Sequence, residues 1–539
     1  MAGTAVSTEK KPECPSNSSD NVDTGMETKP SHVFNEQTNY VPKSTIITVF
    51  LACSTVDLVA LMDQTTLAAS LSIIGNALHA SDQTSWISGA YFVTSTCFQL
   101  LYGRLSDIWS RKIILFVGLG IFFVGSLAAS LAQTATQLII FRAFTGVGGG
   151  GLMTVAQMIV SDVVPLRERG KYQGILGAVV ALANGIGPVI GGALASIDDD
   201  SWRWIFRLNL PLTAITTLSV LFFMPLRKVT GDWKVKLQAI DFFGAFLALG
   251  GTAVLLLGLT WGGGEYPWQS AHVIATLVVG VAVCVAFVLW QWKGTAIPLV
   301  PMRIFQSRIV NGACLTMFVN GWNFLVQVYY IPTFYQLVFG YSTVKAGAML
   351  LPITLMQSIS SPLVSPLFLP RDVKLTPCSR LFSTLDSSSG IGKQIGYGIL
   401  TGVGVGNTLQ PSLIAVQAGV DRREMAVVTS FRNFIRNLGG TLGLAIAGTI
   451  MSFLSSPQSY LSELPLHEAE RVRSLLIPAY KKGFQIIFII GAALAALAFF
   501  LAAWLMPQVT LNRADDEKLK EEGRQRVQGK ASDEEKHGH

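Results

Sequence analysis

The sequence predicts an all-α protein that crosses a membrane many times, and three observations carry that reading. Half of the 539 residues are hydrophobic and 14% are charged, a balance foreign to ordinary soluble domains. Apolar runs of about 20 residues, the length a helix needs to cross a bilayer, recur along the chain. Lys and Arg gather in alternate short connections between those runs, as they do on the cytosolic side of polytopic proteins. The net charge of +7 is therefore read as topological, and a nucleic-acid partner is discounted.

The runs are expected near 44–68, 84–103, 113–133, 137–160, 172–197 and 204–224, which make one six-helix half over 44–224. A further pair near 241–261 and 272–292 occupies a central region, 225–308. The second half, 309–506, holds runs near 310–335, 344–368, 393–417, 427–454 and 483–506. Residues 1–43, rich in Ser, Thr, Asn, Pro and charge, predict a disordered cytosolic tail without a cleavable signal sequence. Residues 507–539 predict a charged cytosolic tail. Asn17-Ser18-Ser19 fits a glycosylation acceptor, which this topology would leave unused on the cytosolic side.

Orientation follows from the basic residues. Arg104, Arg111 and Lys112 follow the second run, and Arg167, Arg169 and Lys171 the fourth. Arg227, Lys228, Lys234 and Lys236 follow the sixth, and Lys293, Arg303 and Arg308 the eighth. The loop with Asp198, Asp199 and Asp200 lies on the opposite side. The amino terminus is thus expected in the cytosol. Region 370–392 breaks the pattern: it is polar, punctuated by proline and carries Arg380 and Asp386. The number of runs is then odd, which would place Arg422 and Arg423 outside. One more crossing between about 360 and 392 would restore the charge rule. A central charge costs roughly 2.5–3.5 kcal/mol on insertion scales, so one helix of the second half is expected to be missing or degenerate.

Gly177–Leu194, GAVVALANGIGPVIGGAL, is the stretch around which the other helices are expected to be arranged. Its glycines would weaken a helix in water. In lipid they let neighbouring backbones approach, and Pro188 is accommodated where neighbours satisfy the freed carbonyl. The plain reading is tight packing; the sharper one is a kinked helix that slides against a moving partner.

Several stretches resemble the major facilitator superfamily, and within it the fourteen-span drug:proton antiporters of fungi. GRLSDIWSRK (Gly103–Lys112) resembles the loop signature between spans two and three, and LIIFRAFTGVGGGG (Leu138–Gly151) the fourth-span arginine motif. GPVIGG, with Gly187, Pro188, Gly191 and Gly192, matches the fifth-span antiporter motif. LMDQTTLAAS (Leu61–Ser70) is similar to the acidic first-span motif, and WRWIFRLNLP (Trp202–Pro211) and RNFIRNLGGTLG (Arg432–Gly443) also match. Ser110 stands where the loop signature usually has glycine, and the first-span motif lacks its customary proline. The resemblance implies the major facilitator fold: two six-helix halves with two extra central helices. The gap at 370–392 falls at the family's eleventh span.

The resemblance also implies a secondary transporter, in which a titratable group inside the bundle couples solute to protons. Asp63 and Arg142 are the proton-coupling candidates, since a nearby cation and burial move a carboxyl in opposite directions. Asp63 could instead be a polar helix-end residue, and Arg142 a cation that neutralises it and fixes packing. Asp57, about 240° round the helix from Asp63, is a second candidate. Gly103, Asp107 and Arg111 mark the gating loop, which in the family latches the halves outward-facing. Asp107 and Arg111 lie four apart and can pair across one turn; an exposed pair is worth under about 1 kcal/mol.

Cavity-lining candidates are Tyr91, Gln99, Asn323 and Gln327, with Trp86, Trp322, Tyr329 and Tyr330 as further aromatics; Trp and Tyr also anchor at interfaces. Asn323 and Gln327, one turn apart, are the better hint. The six cysteines are scattered, which suggests neither a disulfide frame nor a metal site. Neither a cofactor nor a catalytic constellation is expected, so the chain is read as a non-enzyme. The expected function is proton-coupled efflux of a small organic toxin, drug or secondary metabolite by a monomer in the plasma membrane or the vacuolar membrane. A siderophore-type metal-chelate transporter and a non-transporting membrane scaffold are the alternatives; no filter-like loop supports a channel.

Overall fold

A computed structural model describes residues 43–80, 83–164, 166–195, 197–198, 200–224, 234, 240–262, 266–364, 381–385, 389–455 and 466–506. Both tails read from composition lie outside the described residues, as do Arg380 and Asp386. Among the described residues the regular elements are helical, and ten helices are long and apolar enough to cross a membrane.

The first half comprises α1 (Lys43–Ala77), α2 (Thr84–Ile108), α3 (Arg111–Ser130), α4 (Ala135–Val163), α5 (Leu166–Ala195) and α6 (Arg203–Phe223). Helix α1 packs on α5 and α6, α2 on α4, and α3 on α4 and α6. Hydroxyls are hosted in these apolar helices by bonding back along their own backbone. Thr66 Oγ1 donates to the Met62 carbonyl at 2.7 Å and Thr145 Oγ1 to the Phe141 carbonyl at 2.8 Å. Small residues set the closest crossings. A Cβ on Gly187 or Gly191 of α5 would overlap Thr65 or Thr66 of α1, and one on Gly148 of α4 would overlap the α3 backbone at Gly118 and Phe122. Pro188 lies inside an unbroken α5 and rests against Gly347 of the second half.

Two further helices, α7 (Phe242–Trp261) and α8 (Ala271–Leu289), pack on each other, and α7 also packs on α2. Asp241 caps α7 by accepting from the Gly244 amide at 2.8 Å, and it ties the pair by accepting from Gln291 Nε2 at 2.7 Å.

The second half comprises α9 (Arg308–Phe339), α10 (Thr343–Ala348), α11 (Leu351–Val364), α12 (Ile391–Ala418), α13 (Met425–Ser455) and α14 (Leu466–Leu505). Gly340, in the left-handed region at φ 67°, ends α9. The single run expected near 344–368 is thus divided into α10 and α11, and α14 starts well before the expected residue 483. Helix α9 packs on α13 and α14, and α11 on α12. This repeats the first half's pairing of α1 with α5 and α6 and of α2 with α4. Among the described elements, the member without a counterpart is α3.

Gly398 of α12 faces Pro352 of α11, Gly402 faces Ile353, and Gly406 faces Gln357. These two helices therefore run parallel. The connection between them, 365–380, where the charge rule asks for one more crossing, lies outside the described residues. Within the atypical region, residues 381–385 form a short turn at the start of α12, with Phe382 against Phe488 of α14 (ring centroids 5.6 Å). The halves meet where α5 packs on α10 and α11, and where α2 packs on α13.

Replacing Gly191 by Ala should lower the melting temperature of the purified protein, at a cost of about 1–3 kcal/mol for overpacking. Gly120→Ala, with open space around its Cβ, should be neutral or slightly stabilising in the same thermal scan.

Candidate functional site

Asp63 is 0% and Arg142 1% exposed. Arg142 Nη1 donates to both carboxylate oxygens of Asp63, at 2.9 and 2.7 Å, and Asn209 Nδ2 donates to Oδ1 at 2.7 Å. One carboxylate therefore ties α1, α4 and α6 together. The guanidinium lies over the Tyr91 ring, 4.5 Å from its centroid, and faces Phe206 at 5.8 Å. Among the described residues, its Nε and the nearby buried Tyr329 hydroxyl have no hydrogen-bond partner. The pair that the sequence nominated from separate helices is in direct contact. Asp57 is 2% exposed, and its Oδ1 has no hydrogen-bond partner.

Beside this pair, at the meeting of the halves, lies a cleft. Gln64, Tyr91, Gln99, Gln157, Asn433, Arg436 and Asn437 supply its polar lining, and Leu61, Phe92, Met153, Phe324 and Leu325 its apolar lining. Tyr91 belongs to both sites, since its ring supports Arg142 and its hydroxyl accepts from Gln64 Nε2 at 3.4 Å. Two of the four nominated lining residues, Tyr91 and Gln99, are in place. Asn323 and Gln327 are not: both are buried away from the cleft. Asn323 donates to the Val319 carbonyl of its own helix at 3.2 Å, and its side chain lies against Gly491 of α14. A one-turn spacing identifies a shared face; on that face Asn323 meets a helix.

The loop signature is organised inside the first half. Arg111 donates to Asp107 Oδ1 at 2.7 Å, to Ser106 Oγ at 2.7 Å and to Asp162 Oδ2 at 2.9 Å. The side chains of Arg111 and Asp107 are 6% and 13% exposed. The pairing across one turn read from the sequence is thus part of a buried network that joins the end of α2 to the end of α4. Contact between the halves at this end uses other groups. Gly103 leaves no room for a Cβ against Ser430; beside it Arg104 Nη2 donates to the Pro298 carbonyl of the central region at 2.8 Å. Arg169 Nη1 donates to Gln417 Oε1 at 2.8 Å, Asn433 Nδ2 to Gln157 Oε1 at 2.8 Å, and Asn437 Nδ2 to Gln99 Oε1 at 3.1 Å. Arg303 pairs with Glu424 nearby. The halves are therefore closed against each other at the end that carries the loop signature.

Of the antiporter-motif residues, Gly187 and Gly191 form the contact of α5 with α1 within three residues of Asp63, Pro188 faces Gly347, and Gly192 is buried. Sequence reasoning did not single out Asn209, Gln64, Gln157, Asn433, Asn437 or Arg436. Each is an amide or a cation within an apolar run, and Asn209, Asn433, Arg436 and Asn437 fall inside stretches already quoted for their resemblance. Among the described residues there is no cluster of His, Cys, Asp or Glu able to hold a metal.

Comparison with known proteins places residues 54–444 under the family model described as Major Facilitator Superfamily. The chain is 32% identical to citrate exporter 1 of Yarrowia lipolytica over 529 residues, covering 92% of this chain and 78% of the relative. It is 32% identical to the MFS-type efflux pump MFS1 of Arthroderma benhamiae, covering 83% of this chain and 88% of the relative. Among solved structures, a bacterial homologue of the human lysosomal transporter Spinster, inward-facing and occupied, superposes with TM-score 0.54 at 17% identity, covering 86% of this chain and 98% of that one. The proton:xylose symporter XylE superposes with TM-score 0.56 at 13% identity, covering 88% and 98%.

Arg142→Gln should destabilise the protein by about 3–5 kcal/mol, because it strands a buried carboxylate. The double variant Asp63→Asn/Arg142→Gln should recover part of that loss in thermal unfolding, since no unpaired charge then remains.

Proposed function

This chain belongs to the Major Facilitator Superfamily, and from that premise we propose that it exports a small organic solute in exchange for protons. It is a multi-pass membrane protein of a transporter family. On our reading it works as a monomer in the plasma membrane, takes its solute from the cytosolic side, and requires no cofactor. The observation that carries the proposal is the position of the Asp63–Arg142 pair one aromatic ring away from the cleft between the halves. Several relatives named as efflux pumps, and one named as a citrate exporter, favour outward movement.

The coupling follows from electrostatics in a low-dielectric interior. While Asp63 is ionised, Arg142 and Asn209 hold it and with it α1, α4 and α6. Protonation removes the negative charge that Arg142 answers, so the guanidinium loses its strongest partner. Arg142 also rests on Tyr91, so any shift of its fork reaches the cleft wall directly. Gly187 and Gly191 give α5 a smooth surface against α1, along which α1 can move without side chains unlocking. The amide contacts at the loop-signature end then open or close as the halves rock about the cleft. The buried network around Arg111 keeps the ends of α2 and α4 moving as one piece.

Proton movement in sealed vesicles, read with a pH-sensitive dye while solute is supplied on the cytosolic side, tests this. Asp63→Asn should reduce solute-dependent proton flux at least tenfold with membrane abundance unchanged. Equal flux in the variant, or solute movement indifferent to a collapsed pH gradient, would remove the proton-coupling role and favour facilitated release or a scaffold.

A further inference from the structure

Two arginines stand one turn apart on α13, and the second of them, Arg436, lies on the second-half wall of the cleft. Arg432 is 1% exposed and donates to Asn433 Oδ1 at 2.7 Å, to Ser412 Oγ at 3.1 Å and to the Leu409 carbonyl. Arg436 donates through Nε to Asn320 Oδ1 at 3.2 Å, lies over the Phe324 ring at 4.7 Å and lines the cleft. Among the described residues, the terminal nitrogens of Arg436 make no hydrogen bond to protein. Asn320 is held in turn by its own donation to Thr408 Oγ1 at 2.7 Å. A Cβ on Gly321 would overlap the Arg436 carbonyl, so α9 and α13 meet most closely just where this guanidinium is anchored.

Every partner of the two arginines is neutral. Helices α9, α10, α11, α12 and α13 contain no Asp or Glu at all, and the acidic residues of α14, Glu468 and Glu470, precede its apolar stretch Tyr480–Leu505. In the first half Asp63 answers Arg142; on α13 neither arginine has a carboxylate partner among the described residues. Desolvated cations without a counter-charge are costly, and like charges four residues apart on a helix repel. A guanidinium held by one edge, with its fork turned to a cavity, matches a carboxylate in geometry as well as in sign.

We propose that the cleft binds an organic anion, whose carboxylate docks on the free edge of Arg436 while Arg432 behind it adds positive potential. Leu61, Phe92 and Phe324 receive the apolar body, and Gln64 and Gln157 supply neutral polar contacts beside it. The binding claim rests on the cleft alone. Its consequence, that the exported solute is an acid, rests on the transport function proposed above.

The test uses the full chain in lipid nanodiscs and thermal unfolding in the presence of benzoate, phthalate or tricarballylate. Their methyl esters and benzylamine serve as neutral and cationic counterparts of similar size. The acids should raise the melting temperature, and the esters and the amine should not. R436Q should raise the half-saturating acid concentration about tenfold or more. R436K keeps the charge but not the planar fork; it should weaken binding less than R436Q, and it carries the test if R436Q does not yield folded protein. Stabilisation by esters or amine equal to that by acids, no stabilisation by any of the acids, or acid binding untouched in both variants would overturn the proposal. Loss of proton-driven flux with acid stabilisation intact would overturn the transport reading and leave the anion site standing.

Discussion

A carboxylate and a guanidinium enclosed together in apolar surroundings set the terms for the bundle. Asp63 and Arg142 are 79 residues apart in sequence, and neither can be buried alone without a cost of several kcal/mol. Their helices must therefore approach closely, and the glycine-rich middle of α4 leaves room around its arginine. Tyr91 occupies the space over Gly149 and presents its ring to the cation. Asn209 then adds α6 to the same carboxylate. Local sequence choices that would weaken a helix in water thus become consistent with one another once the charge pair is placed.

The two halves repeat one packing plan and fill it differently. In each, the first helix lies against the last two, and the second lies beside the fourth. The first half places a compensated charge pair at its centre, whereas the second places arginines and amides. Among the described elements α3 has no counterpart in the second half. Ile391, Ile395, Ile399 and Leu400 of α12 are 52%, 37%, 37% and 43% exposed, whereas the helices that form the cleft wall, α9 and α13, keep their close crossing at Gly321 and Gly439.

Much of the architecture was legible in the sequence, because membrane helices are written as long apolar runs and their polarity as basic connections. Most described helices fall where those runs lie. The ends differ where polar residues continue a helix past its apolar stretch, as in the first residues of α14. Asp63 and Arg142 were legible for a related reason: charges in apolar runs need a partner, and few partners exist. Asn209 and Arg436 were visible as polar exceptions, but their contacts depend on how helices from distant parts of the chain cross. Asn323 and Gln327 show the converse. Periodicity put them on one face, but only packing decides whether that face meets a cavity or a neighbour.

The closure between the halves is made chiefly of amides and hydroxyls. Gln99 meets Asn437, Gln157 meets Asn433, and Arg169 reaches a glutamine. An amide contact and its hydrated alternative differ little in free energy, so this seam can part and re-form near equilibrium in either direction. Neutral groups also ignore ionic strength and acidity over the physiological range. On the exchange mechanism proposed above, the amide seam would supply reversibility and leave control by the proton gradient to Asp63 and Arg142.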